Sequence, residues 1–345
     1  MKLVNINVKV DITKSKRWQI FMEENYDLAI IGAGPVGLYA GYFASLHGLS
    51  TVILESLAQV GGQPAQIYPA KELLDIPVFS RITGDQLTAN LSNQLSTESA
   101  TIKTNYKVET IDQNKAAAGL IINGELSAKS IIIATGLGAF SPKKLPLDIP
   151  ESARPHFHYF IKDPAAFTSK RVAVLGGGDS ALDWADLLQQ NGVDVAVIHR
   201  RNKFRGLDRT IAHLNDSEHA ELITPYLPIQ VTSTPSGQIK LSLKDVTEGS
   251  TLEETFDEVL VAYGFKTKND FVDDWGVKTD NGFIHVNRQM ATNRPAIYAI
   301  GDAVTYESRV PIIALGFGEA QIAITDIMRS RFPEKKITLH STSIK

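Results

Sequence analysis

The sequence predicts an α/β fold made of two lobes, each built around the same strand–turn–helix–strand motif. The chain has 345 residues, which suggests two domains at about 150 residues per domain. Hydrophobic residues make up 43% and charged residues 21%, as in an ordinary globular protein. The glycine turn of the motif begins at Gly32 and again at Gly176, so the two predicted lobes have the same local design.

The first copy starts with a short apolar run over residues 27–31, which is typical of a strand buried on both faces. A glycine-rich turn, a helix and a second apolar strand over residues 51–54 follow. Such a turn lets the backbone approach a pyrophosphate at a helix N-terminus, and an acid after the second strand binds ribose hydroxyls. The predicted nucleotide-binding residues of this copy are Gly32, Gly34, Gly37 and Glu55.

The second copy repeats this design over residues 171–198, and 23 positions separate Gly32 from Glu55 as they separate Gly176 from His199. His199 stands in place of the acid, and two arginines follow it. Guanidinium groups pair with a 2′-phosphate, so the pattern favours NADP(H), with a solvated surface pair as the alternative. The predicted residues of this copy are Gly176, Gly177, Gly178, Asp179, Ser180, His199, Arg200 and Arg201.

Two nucleotide sites of different character in one chain imply FAD together with NADPH. Residues 131–136 predict a strand that ends in a small-residue turn, and Asp302 ends another strand with an acid that can bind a ribityl hydroxyl. The predicted domains are an N-terminal tail over 1–25, a discontinuous FAD-binding domain over 26–142 and 286–345, and an NADPH-binding domain over 143–285. Met22 is a candidate for the natural start, and the sequence leaves open whether residues 1–21 are native.

Composition excludes several classes of function. The net charge is −3, with 35 basic and 38 acidic side chains, so we expect no nucleic-acid or membrane partner. The uncharged stretch over 28–54 is interrupted by glycines, unlike a membrane-spanning helix. Cysteine is absent, which excludes disulfides and thiolate metal sites and fits a cytoplasmic location. The histidines show no metal-binding spacing, so no metal site is expected.

With these motifs in place, the chain resembles the thioredoxin-reductase-like ferredoxin–NADP⁺ reductases, flavoprotein reductases with two Rossmann-like domains. The resemblance runs from about residue 26 to 345, so only the N-terminal tail lies outside it. Besides the two glycine turns, it is carried by Gly61-Gly62-Gln63, Ile67-Tyr68-Pro69, Gly138-Ala139-Phe140, the segment from His199 to Arg205, Gly301-Asp302, the segment from Gly316 to Ala320, and His340-Ser341-Thr342-Ser343.

The resemblance implies roles for individual residues. Glu55 would hold the adenosine ribose of FAD, and Tyr68 and His340 would stack on opposite faces of the isoalloxazine. In the family, the C-terminal segment with His340 comes from the partner subunit of a homodimer. No side chain is expected to act as a catalytic acid or base, because FAD supplies the redox chemistry. The further implied FAD contacts are Gly62, Gln63, Val108, Phe140, Asp302 and Thr342.

The absence of cysteine distinguishes the chain from thioredoxin reductases, which carry a Cys-x-x-Cys pair just before the second glycine turn. Here that region reads HFHYFI over residues 156–161, so no dithiol can relay electrons. The resemblance implies ferredoxin or flavodoxin as the acceptor. Two alternatives stay open: an NADPH-dependent reductase of a quinone, oxygen or a small disulfide, and a non-catalytic redox sensor. The sequence leaves the physiological acceptor and the direction of electron flow open.

Overall fold

A computed structural model describes residues 24–114, 119–268 and 271–335, with only the backbone described at 114, 139–141 and 266–268. Three short 3₁₀ helices lie at Glu151–His156, Pro164–Phe167 and Gly301–Ala303. The helices are α1 (Pro35–Leu46), α2 (Gly62–Ile67), α3 (Gly84–Ser96), α4 (Asp179–Gln190), α5 (Asp208–Asn215), α6 (Phe271–Asp274) and α7 (Ile313–Arg331). The strands are β1 (Glu24–Ile31), β2 (Thr51–Leu54), β3 (Glu72–Leu73), β4 (Ile82–Thr83), β5 (Thr101–Lys103), β6 (Ile111–Asn114), β7 (Gly119–Ile122), β8 (Leu126–Ile133), β9 (Ala139–Pro142), β10 (Phe157–His158), β11 (Arg171–Leu175), β12 (Asp194–Ile198), β13 (Ala220–Ile223), β14 (Tyr226–Ser233), β15 (Ile239–Asp245), β16 (Thr251–Phe256), β17 (Glu258–Val261), β18 (Phe265–Lys268), β19 (Thr279–Asp280), β20 (Phe283–His285), β21 (Ile297–Ala299) and β22 (Val304–Thr305).

The described residues form two compact units. The first unit holds the described parts of Met1–Ala65, Leu74–Ala139 and Lys268–Lys345, and the second unit holds Gln66–Leu73 and Phe140–Thr267. The strands β9 and β18, where the chain passes between the units, pair with each other. None of the helices in the described ranges combines the length and apolar character needed to cross a membrane.

The first unit is built on a parallel sheet in the order β5-β2-β1-β8, and β21 also pairs with β8. Register is set by pairs such as Leu28 with Thr51 and Ile31 with Ile133. The antiparallel strands β6 and β7 continue the sheet beyond the amino-terminal half of β8. Three strands ordered 3-2-1, followed by a fourth beside the first, is the arrangement of a Rossmann-like fold.

The second unit repeats this topology, with parallel strands in the order β13-β12-β11-β17-β10. The antiparallel sheet β14-β15-β16 comes between β13 and β17, as β6 and β7 come between β5 and β8 in the first unit. The two halves therefore share both a strand order and an insertion point. This confirms the predicted α/β fold with two Rossmann-like domains.

The central strands are buried on both faces, as their unbroken apolar runs predict. In β1, Ala29 and Ile31 pack into a core cluster on one face of the sheet, while Leu28 and Ile30 alternate to the other face and are fully buried as well. In β11, Ala173 belongs to one core cluster of the second unit, and Val174 belongs to another. Burial of each such Leu or Ile contributes roughly 1.5–3 kcal/mol to folding.

The bounds of the two units differ from the domain limits predicted from the sequence at residues 66–73, 140–142 and 268–285. Residues 268–285 lie with the first unit, because Val272, Trp275 and Val277 belong to its core and Trp275 Nε1 donates to Glu109 O at 2.9 Å. Gln66–Leu73 lies with the second unit. The assignment of FAD to one unit and NADPH to the other stays a prediction at this point.

A buried carboxylate fixes the start of β17 in the second unit. Glu258 Oε2 accepts from His158 Nε2 at 2.8 Å, and Lys170 Nζ donates to Oε1 at 2.8 Å. The Glu258 side chain is only 9% exposed. Burial by itself raises the pKa of this carboxyl, but the hydrogen bonds from Lys170 and His158 outweigh burial and hold the pKa below its ordinary value of 4.5. The ionised form is therefore the one that stabilises the fold.

Replacement of this carboxylate is expected to remove a pH-dependent part of the stability. Because the folded-state pKa of Glu258 is depressed, its contribution is present above the ordinary pKa of 4.5 and is lost as the pH falls through the folded-state pKa. Glu258→Gln should lower the free energy of unfolding by roughly 1–3 kcal/mol at pH 7, and by less in acid. Urea unfolding at several pH values measures this difference.

Asp194→Asn is the matched control, because this carboxylate is 64% exposed and its partner His219 is 57% exposed. It should change the free energy of unfolding by less than about 0.5 kcal/mol. A loss in Glu258→Gln that is the same in acid as at pH 7 would contradict the assignment.

Candidate functional site

The turn after β1 is closed to side chains at two glycines. Gly32 has φ +107°, and a Cβ there would lie 2.5 Å from Ala134 O. A Cβ on Gly37 would lie 1.9 Å from Gly32 O, so α1 packs on the turn only because position 37 has no side chain. Gly34 caps α1 without a side-chain hydrogen bond. The amides of the first helical turn therefore face the turn, where a pyrophosphate can accept from them.

A second pair of glycines packs on this turn. Gly61 N donates to Ala33 O at 2.8 Å, and Gly62 has φ +58°. A Cβ on Gly62 would lie 2.9 Å from the Cα of Gly34, so the two backbones touch with no room for a side chain. Gln63 follows in α2 and is half-buried. Two stretches of bare backbone thus form one narrow cradle.

Glu55 ties the end of β2 to the first turn. Its side chain is 6% exposed, Oε2 accepts from Ala33 N at 2.8 Å, and Oε1 accepts from Leu57 N at 2.9 Å. An ionised carboxylate has about four lone-pair sites, so two accepted backbone bonds leave capacity for ribose hydroxyls. The acid is held beside the glycine turn before any ligand binds.

The ends of β8 and β21 complete this edge of the first unit. The Thr135 hydroxyl is buried and has no hydrogen-bond partner among the described residues, and Thr135 N lies 3.2 Å from the position of a Cβ on Gly32. A Cβ on Gly301 would lie 3.5 Å from the Val36 side chain, which places Asp302 beside the first turn of α1. A backbone cradle and an unpaired buried hydroxyl suit a nucleotide such as FAD.

Asp302 is held by a buried group of charged residues. Its Oδ1 accepts from Arg309 Nη2 at 3.2 Å, and Arg309 Nε donates to Glu319 Oε1 at 2.9 Å. The Tyr306 hydroxyl donates to the same Glu319 oxygen at 2.8 Å. Burial, together with this bond to a carboxylate, raises the pKa of Tyr306 to about 12, so its hydroxyl stays protonated as a donor.

The turn after β11 repeats the close packing of the first turn. Gly176 N donates to Ile198 O at 3.1 Å, and a Cβ on Gly176 would lie 2.6 Å from Ala262 O. A Cβ on Gly177 would lie 2.4 Å from the ring of His199. Gly178 caps α4 without a side-chain hydrogen bond, and Asp179 and Ser180 are exposed in the first turn of that helix. This helix N-terminus is likewise open to a phosphate.

His199 lies among arginines, and its surroundings favour the neutral imidazole. Burial lowers its pKa from the ordinary value of 6.5, and the charges of Arg200, Arg201 and Arg205 lower it further. The ring stacks on Phe204 with centroids 5.4 Å apart, and Nε2 is buried without a partner in the described ranges. The arginines are exposed. A neutral ring beside exposed guanidinium groups suits an anionic ligand.

Sequence reasoning gave Arg205 no role of its own, although it lies in the matched segment. Arg205 N donates to Gly177 O at 2.9 Å, so the loop after β12 returns to the glycine turn and brings the third guanidinium close to His199. The signal in the sequence is the run of cations over residues 200–209. Only the fold shows that this loop returns to the turn.

The other residues predicted to contact the flavin are not among those that the described structure brings to the first glycine turn. Val108 is buried in the core of the first unit. Tyr68 lies in the second unit, where it packs against a core cluster, and neighbouring Lys71 pairs with Asp183 at 2.5 Å. Phe140 is in β9 without a described side chain, and His340 and Thr342 lie outside the described residues.

The structure thus assembles two constellations of predicted residues, one in each unit. Nowhere in the described ranges do three metal-ligating side chains form a candidate metal site. The first constellation comprises Gly32, Gly34, Gly37, Glu55, Gly62 and Asp302. The second comprises Gly176, Gly177, Gly178, His199, Arg200 and Arg201.

Known proteins resemble the chain along most of its length. Residues 26–326 match the family described as pyridine nucleotide-disulphide oxidoreductase. A protein of Lactobacillus delbrueckii subsp. bulgaricus named ferredoxin–NADP reductase is 50% identical over 315 residues, which are 91% of this chain and 100% of that protein. A ferredoxin–NADP reductase of Lactobacillus johnsonii is 49% identical over 322 residues, covering 93% of this chain and 100% of that protein.

Among solved structures, the thioredoxin reductase of Lactococcus lactis matches with a TM-score of 0.72 at 26% identity, covering 88% of this chain and 98% of that chain. The thioredoxin reductase of T. acidophilum matches with a TM-score of 0.74 at 24% identity, covering 89% and 99%, which concerns the fold alone. The chain therefore belongs to the pyridine nucleotide-disulphide oxidoreductase family and, within it, to the ferredoxin–NADP reductases of thioredoxin-reductase-like fold.

Proposed function

We propose that this protein is an FAD-dependent oxidoreductase that exchanges electrons between NADP(H) and ferredoxin or flavodoxin. The observation that carries the proposal is a difference between the two units at one structural position. After the second strand, the first unit has the buried acid Glu55, and the second has His199 followed by Arg200 and Arg201. The first arrangement suits a ribose, and the second suits a ribose phosphate.

We assign FAD to the first unit. The backbone cradle at Gly32, Gly37 and Gly62 admits a pyrophosphate, and Glu55 lies where it can accept from ribose hydroxyls. Asp302 lies beside the same helix N-terminus, where it can accept from a ribityl hydroxyl. When bound, FAD would accept a hydride from NADPH and pass electrons on singly to a carrier protein.

We assign NADPH to the second unit. The N-terminus of α4 and the turn at Gly176 offer backbone amides to the pyrophosphate. Arg200, Arg201 and Arg205 offer guanidinium groups to the 2′-phosphate, and neutral His199 adds no charge of its own. The relatives named ferredoxin–NADP reductase support NADP(H) as the substrate and ferredoxin as a partner.

We place the protein in the cytoplasm, which fits a chain without cysteine.

We also propose a homodimer that shares its flavin sites. Lys335 Nζ donates to Asp27 Oδ2 at 2.7 Å and to Gly48 O at 2.6 Å, so the segment that follows α7 is held beside Asp27 of β1. The glycine turn follows the carboxyl end of that strand, five residues and therefore about 17 Å from Asp27. His340 follows Lys335 by five residues, an extended reach of about 18 Å at most. Only a fully extended segment would bring His340 to the glycine turn of its own chain. This favours stacking of His340 on the flavin of a partner subunit.

Purified protein should be yellow, lose its colour with NADPH, and rapidly reduce ferredoxin or a one-electron dye at the expense of NADPH. Visible spectra with and without NADPH, followed by steady-state assays, measure both properties. Protein that stays colourless after incubation with excess FAD would contradict the proposal. Turnover only with two-electron acceptors would indicate a reductase of a quinone, oxygen or a small disulfide, and bound FAD without turnover would indicate a sensor.

The double variant Arg200→Ala, Arg201→Ala should raise KM for NADPH roughly 10- to 100-fold, because charge-assisted hydrogen bonds to the 2′-phosphate are lost. KM for NADH should change little, since NADH has no such phosphate. Lys244→Ala is the control, because Lys244 is an exposed cation in β15 of the same unit. Equal effects on NADPH and NADH would argue against the 2′-phosphate assignment.

A mixed dimer tests the shared site. His340→Ala should retain FAD but turn over slowly, and Gly37→Val should lose FAD because even a Cβ there would lie 1.9 Å from Gly32 O. In a heterodimer of the two variants, the flavin of the first chain meets His340 of the partner subunit, so activity should recover. Sedimentation should give twice the 37.7 kDa mass of one chain. A monomer, or a heterodimer without recovery, would refute sharing.

A further inference from the structure

A buried carboxylate lies behind the proposed flavin site of the first unit. Glu319, in the interior of α7, is 1% exposed. Its Oε2 accepts from Gly301 N at 2.7 Å, and its Oε1 accepts from the Tyr306 hydroxyl at 2.8 Å and from Arg309 Nε at 2.9 Å. Three donors from the segment after β21 thus converge on one side chain of α7.

Arg309 connects this buried carboxylate with an exposed one. The Arg309 side chain is 6% exposed, and its Nη2 donates to Asp302 Oδ1 at 3.2 Å. Asp302 is 38% exposed. The planar guanidinium therefore bonds Glu319 with one nitrogen and Asp302 with another, which fixes the direction of the Asp302 carboxylate.

The packing of α7 on α1 explains why this group of charges forms here. A Cβ on Gly316 would lie 2.4 Å from Val36 Cγ2, so the first turns of α7 press against the start of α1. One helical turn later, Glu319 reaches the amide of Gly301, which has φ +70°. Burial of an ion pair is rarely the most stable solution for a core, since apolar residues of similar volume often stabilise more. The group is therefore better explained by the geometry that it imposes.

We propose that Glu319 and Arg309 are positioning residues for the flavin site: Glu319 fixes the turn at Gly301, and Arg309 orients Asp302 toward the ligand. The proposal rests on the proposed function, in which Asp302 contacts FAD. Arg309 uses one oxygen of Asp302 and sets the direction of the second. A carboxylate ordered before binding loses less conformational entropy when the ligand arrives, which strengthens binding.

The test measures the release of FAD from the holoprotein by the recovery of free flavin fluorescence, with the flavin midpoint potential as a second readout. Glu319→Gln and Arg309→Lys should each release FAD about tenfold to hundredfold faster, because charge-assisted bonds are lost. Lysine keeps the charge of Arg309 but cannot bond both carboxylates in a fixed plane. Asp302→Asn should accelerate release in the wild-type background and much less in the Arg309→Lys background, since Arg309 acts through Asp302.

Asp326→Asn is the matched control. Asp326 also lies in α7 and accepts from a tyrosine hydroxyl, that of Tyr298 at 2.7 Å, but within the described part of the chain it makes no hydrogen bond to Asp302 or Arg309. It should reduce stability without changing FAD release. If Glu319→Gln does not fold, the cycle of Arg309→Lys with Asp302→Asn decides the question.

The possible results separate the two proposals. If the wild-type protein holds FAD and the variants at 319 and 309 change only thermal stability, the positioning role is wrong and the proposed function stands. Additive effects of Arg309→Lys and Asp302→Asn would also overturn the positioning role. A wild-type protein that binds no FAD would overturn both proposals.

Discussion

At the proposed flavin site, α1 packs directly against the glycine turn that follows β1. A Cβ on Gly37 would lie 1.9 Å from Gly32 O, and a Cβ on Gly62 would lie 2.9 Å from Gly34 Cα. Because these positions have no side chains, the start of α1 lies directly at the carboxyl end of the sheet, where the amides of its first turn are available to a phosphate. Glu55, Thr135 and Gly301 are all placed by their contacts with this turn and helix.

In the second unit, the glycine turn is packed as closely as in the first, but different side chains lie beside it. Gly176 and Gly177 repeat the exclusion of side chains, but the ring of His199 fills the place beside the turn. His199 takes the position that Glu55 has in the first unit, and Arg200 and Arg201 follow it, so no acid is present there to repel a phosphate. Duplication of one backbone design, with a change of a few side chains after the second strand, accounts for an acid beside one glycine turn and two arginines beside the other.

Much of the fold and of both turns could be predicted from the sequence, because these features depend on local pattern. The 23-residue spacing from Gly32 to Glu55 recurs from Gly176 to His199, and buried parallel strands show as short apolar runs. The bonds from Arg309 to Asp302 and Glu319, and the placement of Tyr68 with the second unit, depend on packing between distant segments. Contacts between residues that are distant in the sequence cannot be predicted from composition or local spacing.

The region before β11 also bears on the path of the electrons. Thioredoxin reductases carry a cysteine pair in the corresponding region, whereas this chain has His156-Phe157-His158. His158 is bound to Glu258 at 2.8 Å, and Phe157–His158 pairs with β17 as an edge strand of the second unit. The segment thus has a structural role in the sheet and offers no thiol to carry electrons. In the proposed function, the flavin therefore has to pass electrons directly to its acceptor, so the proposed positioning of Asp302 by Arg309 and Glu319 would act at the redox centre itself.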